Sequence, residues 1–354
     1  MKNIRWMMIV VVLWHACLLR AQEPVKRVHQ EGKIRVFYQL EGQHAVDGTD
    51  ANKNGVPDQV EDVLTQIVAA QAMFVEVLGF PDPLQTERFR TASFIDVSFR
   101  HKDVLKSNGV AYDELQRYNR PGDPKGTLSI SFTVATSVKA ATNLTPAHEF
   151  FHVIQNSVTY FKNRWYTEGT ARWSEKALGI GGLGPAKILS AWPLAKEQAD
   201  AVFGMAYEAA DQFWNPLAAK ADDEGVIPEV PALARVRGMR YTDGTAVLKD
   251  LKLTGWKFIR EVLLALDRAD DVAFRELGYE RWSEEHQRSP KNNAYIMKCA
   301  SPRARHRTQL TKTTLIKHET SRPSHPHHRQ HDRHRRIHGA ALCRGRRQSH
   351  PAWP

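Results

Sequence analysis

The spacing of apolar residues divides this chain into a strand-bearing first half and a helical second half. Lys33–Tyr38 (KIRVFY), Ala92–Phe99 (ASFIDVSF) and Thr127–Thr133 (TLSISFT) read as strands, the last with Leu128, Ile130 and Phe132 alternating onto one face. Residues 57–79 place Val60, Val63, Leu64, Ile67, Phe74 and Leu78 on one side of a helix, and residues 146–160 do the same with Phe150, Phe151, Ile154 and Val158. Thr145 is the expected N-cap of that second helix, with Pro146 at its first position. Residues 101–126 read as loop, marked by Asn108-Gly109, Pro121-Gly122 and Pro124. After Gly179–Gly184, a glycine-rich break, the pattern predicts helices over Ala199–Leu217, Val247–Leu266 and Arg268–Leu277, with a proline-marked linker at Ile227–Ala232. The class this predicts is α+β: an α/β lobe over 22–175, then a helical lobe over 176–297.

Charge changes the picture at both ends. Lys2 and Arg5 precede the apolar run Trp6–Leu19, which is short for a membrane span and reads as an export signal over 1–21, with a retained anchor as the alternative. The expectation is a secreted or periplasmic protein with no stable span once the signal is cut. From Lys298 onward, 14 Lys and Arg face 2 Asp and Glu, and nine of the 16 histidines lie there. The whole chain is +11, so residues 1–297 are close to neutral. Residues 298–354 cannot bury a core and are expected to be disordered; a translated frameshift is the competing account. Because the basic charge sits outside the folded part, specific nucleic-acid binding has no support. Of the 3 cysteines, Cys17 falls in the signal and Cys299 and Cys343 in the tail, so no disulfide framework is predicted.

The chemistry concentrates in His148-Glu149-Phe150-Phe151-His152, an H-E-x-x-H pattern. On a helix, positions four apart lie one turn above each other, about 5–6 Å between Cβ atoms. Two imidazoles so placed reach one metal ion, and Glu149, about 100° around the axis, reaches beside it. A hydrolytic zinc site needs a third protein ligand and a carboxylate base. Glu168, in the segment WYTEGTARW, is the candidate third ligand, and Glu175 competes with it. Gly169 and Ala171 would allow close approach of the two helices, and Arg172 would steady the Glu168 carboxylate. A second metal pattern runs from Asp50 to Glu61: Asp50, Asn52, Asn54, Val56, Asp58 and Glu61 fall at positions one, three, five, seven, nine and twelve of a calcium loop, with Gly55 at six. No helix is predicted before it, so a single Ca²⁺ loop is expected rather than a paired EF-hand.

The H-E-x-x-H helix followed by E-G-T-A resembles the gluzincin metallopeptidases, the group of thermolysin and aminopeptidase N, and is most similar to uncharacterised secreted bacterial metalloprotease-like proteins. The resemblance covers about 143–215. It implies a zincin-like fold, Zn²⁺ held by His148, His152 and Glu168, Glu149 as general base, and a peptide or protein substrate. It implies that the strand Thr127–Thr133 is the edge that binds substrate backbone, and that Tyr207, in Tyr207-Glu208, stabilises the oxyanion. The interval from His152 to Glu168 is shorter than in those enzymes, so substrate class does not carry over. The rival expectation is a non-catalytic secreted binding or surface protein stabilised by zinc and calcium.

Overall fold

The alternation of Ile34-Arg35-Val36-Phe37-Tyr38 sends Ile34, Val36 and Tyr38 into the interior and Arg35 and Phe37 to the opposite face. The same alternation recurs in the neighbouring strands, and the result is a two-faced sheet. A computed structural model describes residues 26–118, 120–179, 194–221 and 224–301. Its strands are β1 (Arg27–Glu31), β2 (Ile34–Tyr38), β3 (Phe94–Arg100), β4 (Gly109–Ala111), β5 (Gln116–Arg117) and β6 (Leu128–Ala135). They form one mixed sheet in the order β1-β2-β3-β6-β4, with β5 also pairing with β6. β2, β3 and β6 are parallel, and β1, β4 and β5 pair antiparallel to their neighbours.

The three strands read from sequence are β2, β3 and β6. Residues 101–126, expected as loop, instead carry a helical turn at Lys102–Leu105 and the strands β4 and β5. β6 is not an edge: β3 flanks it on one side and β4 and β5 on the other. The sheet ends at β1 on one side and at β4 and β5 on the other, and β4 had no apolar alternation long enough to announce it.

The helices are α1 (Asp58–Gln71), α2 (Thr145–Val158), α3 (Arg164–Ser174), α4 (Lys196–Phe203), α5 (Asn215–Ala221), α6 (Pro231–Gly238), α7 (Trp256–Glu276) and α8 (Asn293–Ala300). α1 continues as a π-helical turn over Ala72–Val77. α1 and α2 lie on the sheet face made by Val36, Ile95, Val97, Ile130, Phe132 and Val134, all essentially inaccessible. Phe74, Phe80, Phe151 and Trp173 join α1, α2 and α3 through edge-on ring contacts. Burying each such ring contributes roughly 1.5–3 kcal/mol, so the helix bearing His148 and His152 is firmly fixed.

Several boundaries differ from expectation. Thr145 is the first residue of α2 rather than its cap; Leu144 stands at the cap without a side-chain bond, and Asn143 Oδ1 accepts the Thr145 amide at 2.9 Å. The helix expected over Ala199–Leu217 breaks at Gly204 into α4, a turn, a π-helical segment Ala210–Trp214 and α5. Val247–Leu266 and Arg268–Leu277 are not two helices: α7 runs unbroken from Trp256 to Glu276. Its start is fixed by Gly255, at φ 75°, where a Cβ would stand 2.3 Å from that of Ala218. Lys298–Ala300, assigned to the disordered tail, complete α8, with Cys299 half-buried and Ala300 fully buried. The residues described belong to one compact unit, so the change at 175/176 is one of secondary-structure type rather than a break in packing. The export segment 1–21, the glycine-rich break beyond Gly179 and the tail beyond Ser301 lie outside the described residues.

Candidate metal centre

α2 places the His148 and His152 rings one turn apart, centroids 4.7 Å and planes 86° from parallel. α3 crosses beside it and delivers Glu168. Each imidazole Nε2 lies 3.5 Å from the same oxygen, Glu168 Oε2. That oxygen is buried and has no hydrogen-bond partner. Two atoms bound to a tetrahedral zinc at about 2.0–2.2 Å lie about 3.3–3.6 Å apart, which is the spacing of the two nitrogens from the oxygen. Among the described residues, His148, His152 and Glu168 are the group able to hold a metal ion, their ligand atoms all within 4.8 Å of one another.

The other ring nitrogens fix the tautomers. His148 Nδ1 is 2.9 Å from Glu175 Oε1, and a carboxylate only accepts there, so Nδ1 carries hydrogen and Nε2 keeps its lone pair when the ring is neutral. His152 Nδ1 is 2.6 Å from Gln155 Oε1. The Gln155 amide nitrogen donates to the Thr167 carbonyl at 3.0 Å and to Thr170 Oγ1 at 2.6 Å, so its oxygen must face the histidine and accept. Both Nε2 lone pairs therefore point at the metal position. Glu175 is thus the orienting partner of His148 rather than the third ligand. Arg172 Nη1 bonds Glu175 Oε2 at 3.0 Å and steadies that carboxylate, not Glu168 as expected. Gly169 does not ease the approach of α3 to α2; a Cβ there would strike Trp214 Cδ1 at 2.6 Å, so it admits the tryptophan stacked on Trp165.

Electrostatics fit a cation. Burial opposes the charged form of His148, but Glu168 and Glu175 outweigh it and push the ring up to about 9. Burial likewise opposes ionisation of Glu168, yet the two imidazoles hold its carboxyl well below the usual carboxylate range. A metal ion competes with the His148 proton for the same carboxylate-rich space.

Glu149 is 5% exposed, and its Oε2 is buried without a partner. Burial raises its pKa, with His152, His148 and, least, the neighbouring Ala111 backbone pulling the other way. β4 is the strand in contact: a Cβ on Gly109 would stand 2.4 Å from Glu149 Oε1. Within β4 the ladder to β6 uses Asn108 O and Tyr112 N, bonded to Ala135 N at 2.8 Å and Ser131 O at 3.0 Å. By alternation, Gly109 and Ala111 turn their backbone groups away from β6 toward the outer edge. Tyr207 is half-exposed, its ring centroid 6.0 Å from that of His148, and its hydroxyl lies within reach of the charge on the Glu168 carboxyl. Burial and Glu168 together push its pKa up to about 12.

The structure thus brings together His148, Glu149, His152, Glu168 and Tyr207. Gln155 and the part played by β4 were missed. Gln155, three residues after His152 on the helix, was the only local hint.

The Asp50–Glu61 segment folds as a separate loop, with Gly55 at φ 89°. Asp50 accepts the Asn54 and Gly55 amides at 3.1 and 2.8 Å, Asp58 accepts the Ala51 amide at 3.1 Å, and Glu61 accepts the side-chain amides of Asn52 and Asn54 at 3.0 and 2.7 Å. Val56 donates its amide to Asn54 Oδ1 at 2.9 Å. Among the described residues no helix precedes the loop. Among the described residues no helix is long and apolar enough to cross a membrane. Comparison with protein families, with curated proteins and with solved structures finds no match to this chain.

Proposed function

We propose that this chain is a secreted zinc-dependent metallopeptidase of gluzincin type and zincin-like fold, with His148, His152 and Glu168 as zinc ligands and Glu149 as general base. The observation that carries the reading is the convergence of two lone-pair nitrogens on one buried, unpartnered Glu168 oxygen, with a second unpartnered carboxylate, Glu149, alongside. Two imidazoles and a carboxylate suit zinc better than magnesium or calcium, which favour all-oxygen sets. When bound, the ion polarises the scissile carbonyl and brings the pKa of a water toward about 7.

The chain's own residues supply the rest. Glu149, desolvated and next to the ligands but off their helical face, takes the proton of the attacking water and passes it to the leaving amine. The Tyr207 hydroxyl donates to the substrate oxygen that gains negative charge. Substrate backbone adds as a strand to the outer edge of β4, at the Gly109 amide and the Ala111 carbonyl. Glu175 and Gln155 hold the imidazoles in the tautomer that binds metal. The Asp50–Glu61 loop, with its six matched positions, takes a stabilising Ca²⁺, in keeping with export of the chain.

Glu149→Gln tests the reading. The amide keeps size and hydrogen bonding but cannot accept a proton, so zinc counted by elemental analysis stays at wild-type content. Hydrolysis of a proteome-derived peptide library falls about 10²–10⁴-fold. His148→Ala, His152→Ala and Glu168→Ala lose the zinc as well. Undiminished cleavage by Glu149→Gln removes it as the base; a zinc-loaded wild type that cleaves no peptide turns the assignment to a binding protein.

A further inference from the structure

One cavity, of about 310 Å³, has a wall that carries cations and no carboxylate among the described residues. Its lining includes Lys162, Arg164 and Arg288, with Phe203, Met205 and Pro290 as apolar walls. Its position follows from two chain connections. Arg164 opens α3 four residues before Glu168, one helical turn from the metal ligand, with Cβ atoms about 5–6 Å apart. Met205 and Ala206, also in the lining, run directly into Tyr207, which lies beside His148. Two short stretches of chain therefore join the cavity to the metal centre.

The three cations are not equivalent. Lys162 is buried and committed: its Nζ meets Asp113 at 2.9 Å and Asn156 Oδ1 at 2.6 Å. Arg288 Nε shares its charge with Glu284 at 3.2 Å. Arg164 is exposed and makes no ion pair within 4.0 Å among the described residues. Asn163, the N-cap of α3, gives the helix no side-chain cap; its side-chain amide donates to Ser289 O and Asn293 Oδ1. The amide end of α3 thus adds its partial positive charge on the same side.

We infer that this cavity binds a carboxylate of the substrate and that Arg164 is the specificity-determining residue. An anionic group on an aliphatic stem matches apolar walls with an unpaired guanidinium at the rim. The preferred substrate then carries an acidic side chain or a free C-terminus within one or two residues of the scissile bond. The inference rests on the peptidase reading, because it takes the metal centre as the place where the bond is cut.

Binding can be tested apart from turnover. Zinc-loaded Glu149→Gln is titrated with four N-terminally fluorescent peptides, followed by anisotropy: Ala-Ala-Phe-Glu-Ala amide, its Gln counterpart, Ala-Ala-Phe-Ala with a free carboxylate, and its amide. The Glu probe or the free-acid probe binds about tenfold tighter than its neutral partner, the scale of one charge-assisted hydrogen bond. The advantage shrinks as salt rises. Adding Arg164→Gln abolishes the advantage without changing neutral-probe affinity or zinc content. The probe with the advantage identifies side chain or terminus as the source. Equal binding of acidic and neutral probes, or an advantage that survives Arg164→Gln, overturns the inference. If acidic probes bind by way of Arg164 but the wild-type protein cleaves none of the four, the cavity assignment stands and the peptidase reading falls.

Discussion

Gly109→Ala is the sharpest probe of how the sheet edge and Glu149, the proposed general base, are coupled. Gly109 has an ordinary negative φ, so alanine costs nothing in backbone conformation. Its side chain has nowhere to go. An ideal Cβ would lie 2.4, 2.5 and 2.7 Å from Glu149 Oε1, Cγ and Cδ, whereas ordinary contact begins near 3.4 Å. Something must retreat by about 1 Å. β4 is held by ladder bonds at Asn108 and Tyr112, and α2 is packed against Phe74 and Phe80, so the carboxylate is the softest element. A displacement of about 1 Å in catalytic geometry costs about 10²-fold in rate. Overpacking itself costs roughly 1–3 kcal/mol. The expected phenotype is full zinc occupancy, a modestly lower melting temperature and kcat/KM down about 10²-fold, on the substrate cleaved best by wild type. Val110→Ala is the control: its side chain points to the other face of β4 and leaves Glu149 untouched. Gly109→Ala with wild-type kcat/KM and wild-type melting would show that β4 does not pack on Glu149, and the strand would lose its assigned part in the site.

Other consequences can be measured separately. Glu175→Gln leaves the three ligands in place but weakens the hold on His148 Nδ1, so zinc affinity from competition with a chelator falls about 10–100-fold; unchanged affinity removes Glu175 from the site. Asp50→Ala abolishes a rise of melting temperature with added calcium that wild type shows, and a wild type insensitive to micromolar through millimolar calcium ends the loop assignment. Truncation after Ser301 keeps fold and zinc, whereas truncation after Met297 removes buried Ala300 and the Cys299 contact and costs about 1 kcal/mol or more in denaturant melts; equal stability of the two would return 298–300 to the tail. Asp270 is pushed up to about 6, first by burial and then by neighbouring Asp271 and Asp267, against the hydrogen bonds from Tyr160 and Thr159. The folded state therefore holds that proton at pH values where the unfolded chain, titrating near 3.9, has lost it. This contribution favours the fold at acid pH and is lost as pH rises from about 4 through 6. Asp270→Asn flattens that part of the stability profile, and an identical slope in both proteins refutes the assignment.

The sequence by itself was enough for everything set by short-range helical geometry. His148 and His152 share a face because 3.6 residues per turn bring positions four apart together, and Glu149 is turned aside for the same reason. The period-two and continuous apolar runs that mark β2, β3 and β6 need only a buried face to become strands. What the sequence could not determine depends on pairing and packing between distant segments. Thr127–Thr133 alternates as an edge strand would, but whether a strand is an edge depends on what pairs on its far side, and here β4 and β5 do. Asn108-Gly109 looks like a turn locally, but Gly109 starts β4 because it pairs with Val134 of β6, and its missing side chain leaves room for Glu149, forty residues on. Glu168 and Glu175 lie two turns apart on one continuous helical run and cannot be ranked from spacing. The crossing of α3 over α2 ranks them, setting Glu168 against both Nε2 atoms and Glu175 against the remote nitrogen of His148. Arg172 then follows Glu175, and Gly169 makes room for Trp214 instead of for the metal helix. Tyr207 illustrates the same limit: nothing near it in sequence distinguishes a surface tyrosine from one facing a metal centre. The break at Gly204, the turn before Ala210 and the fixed position of α3 bring its hydroxyl to Glu168. Local spacing determined which side chains share a helix face, and long-range packing determined which of their atoms meet.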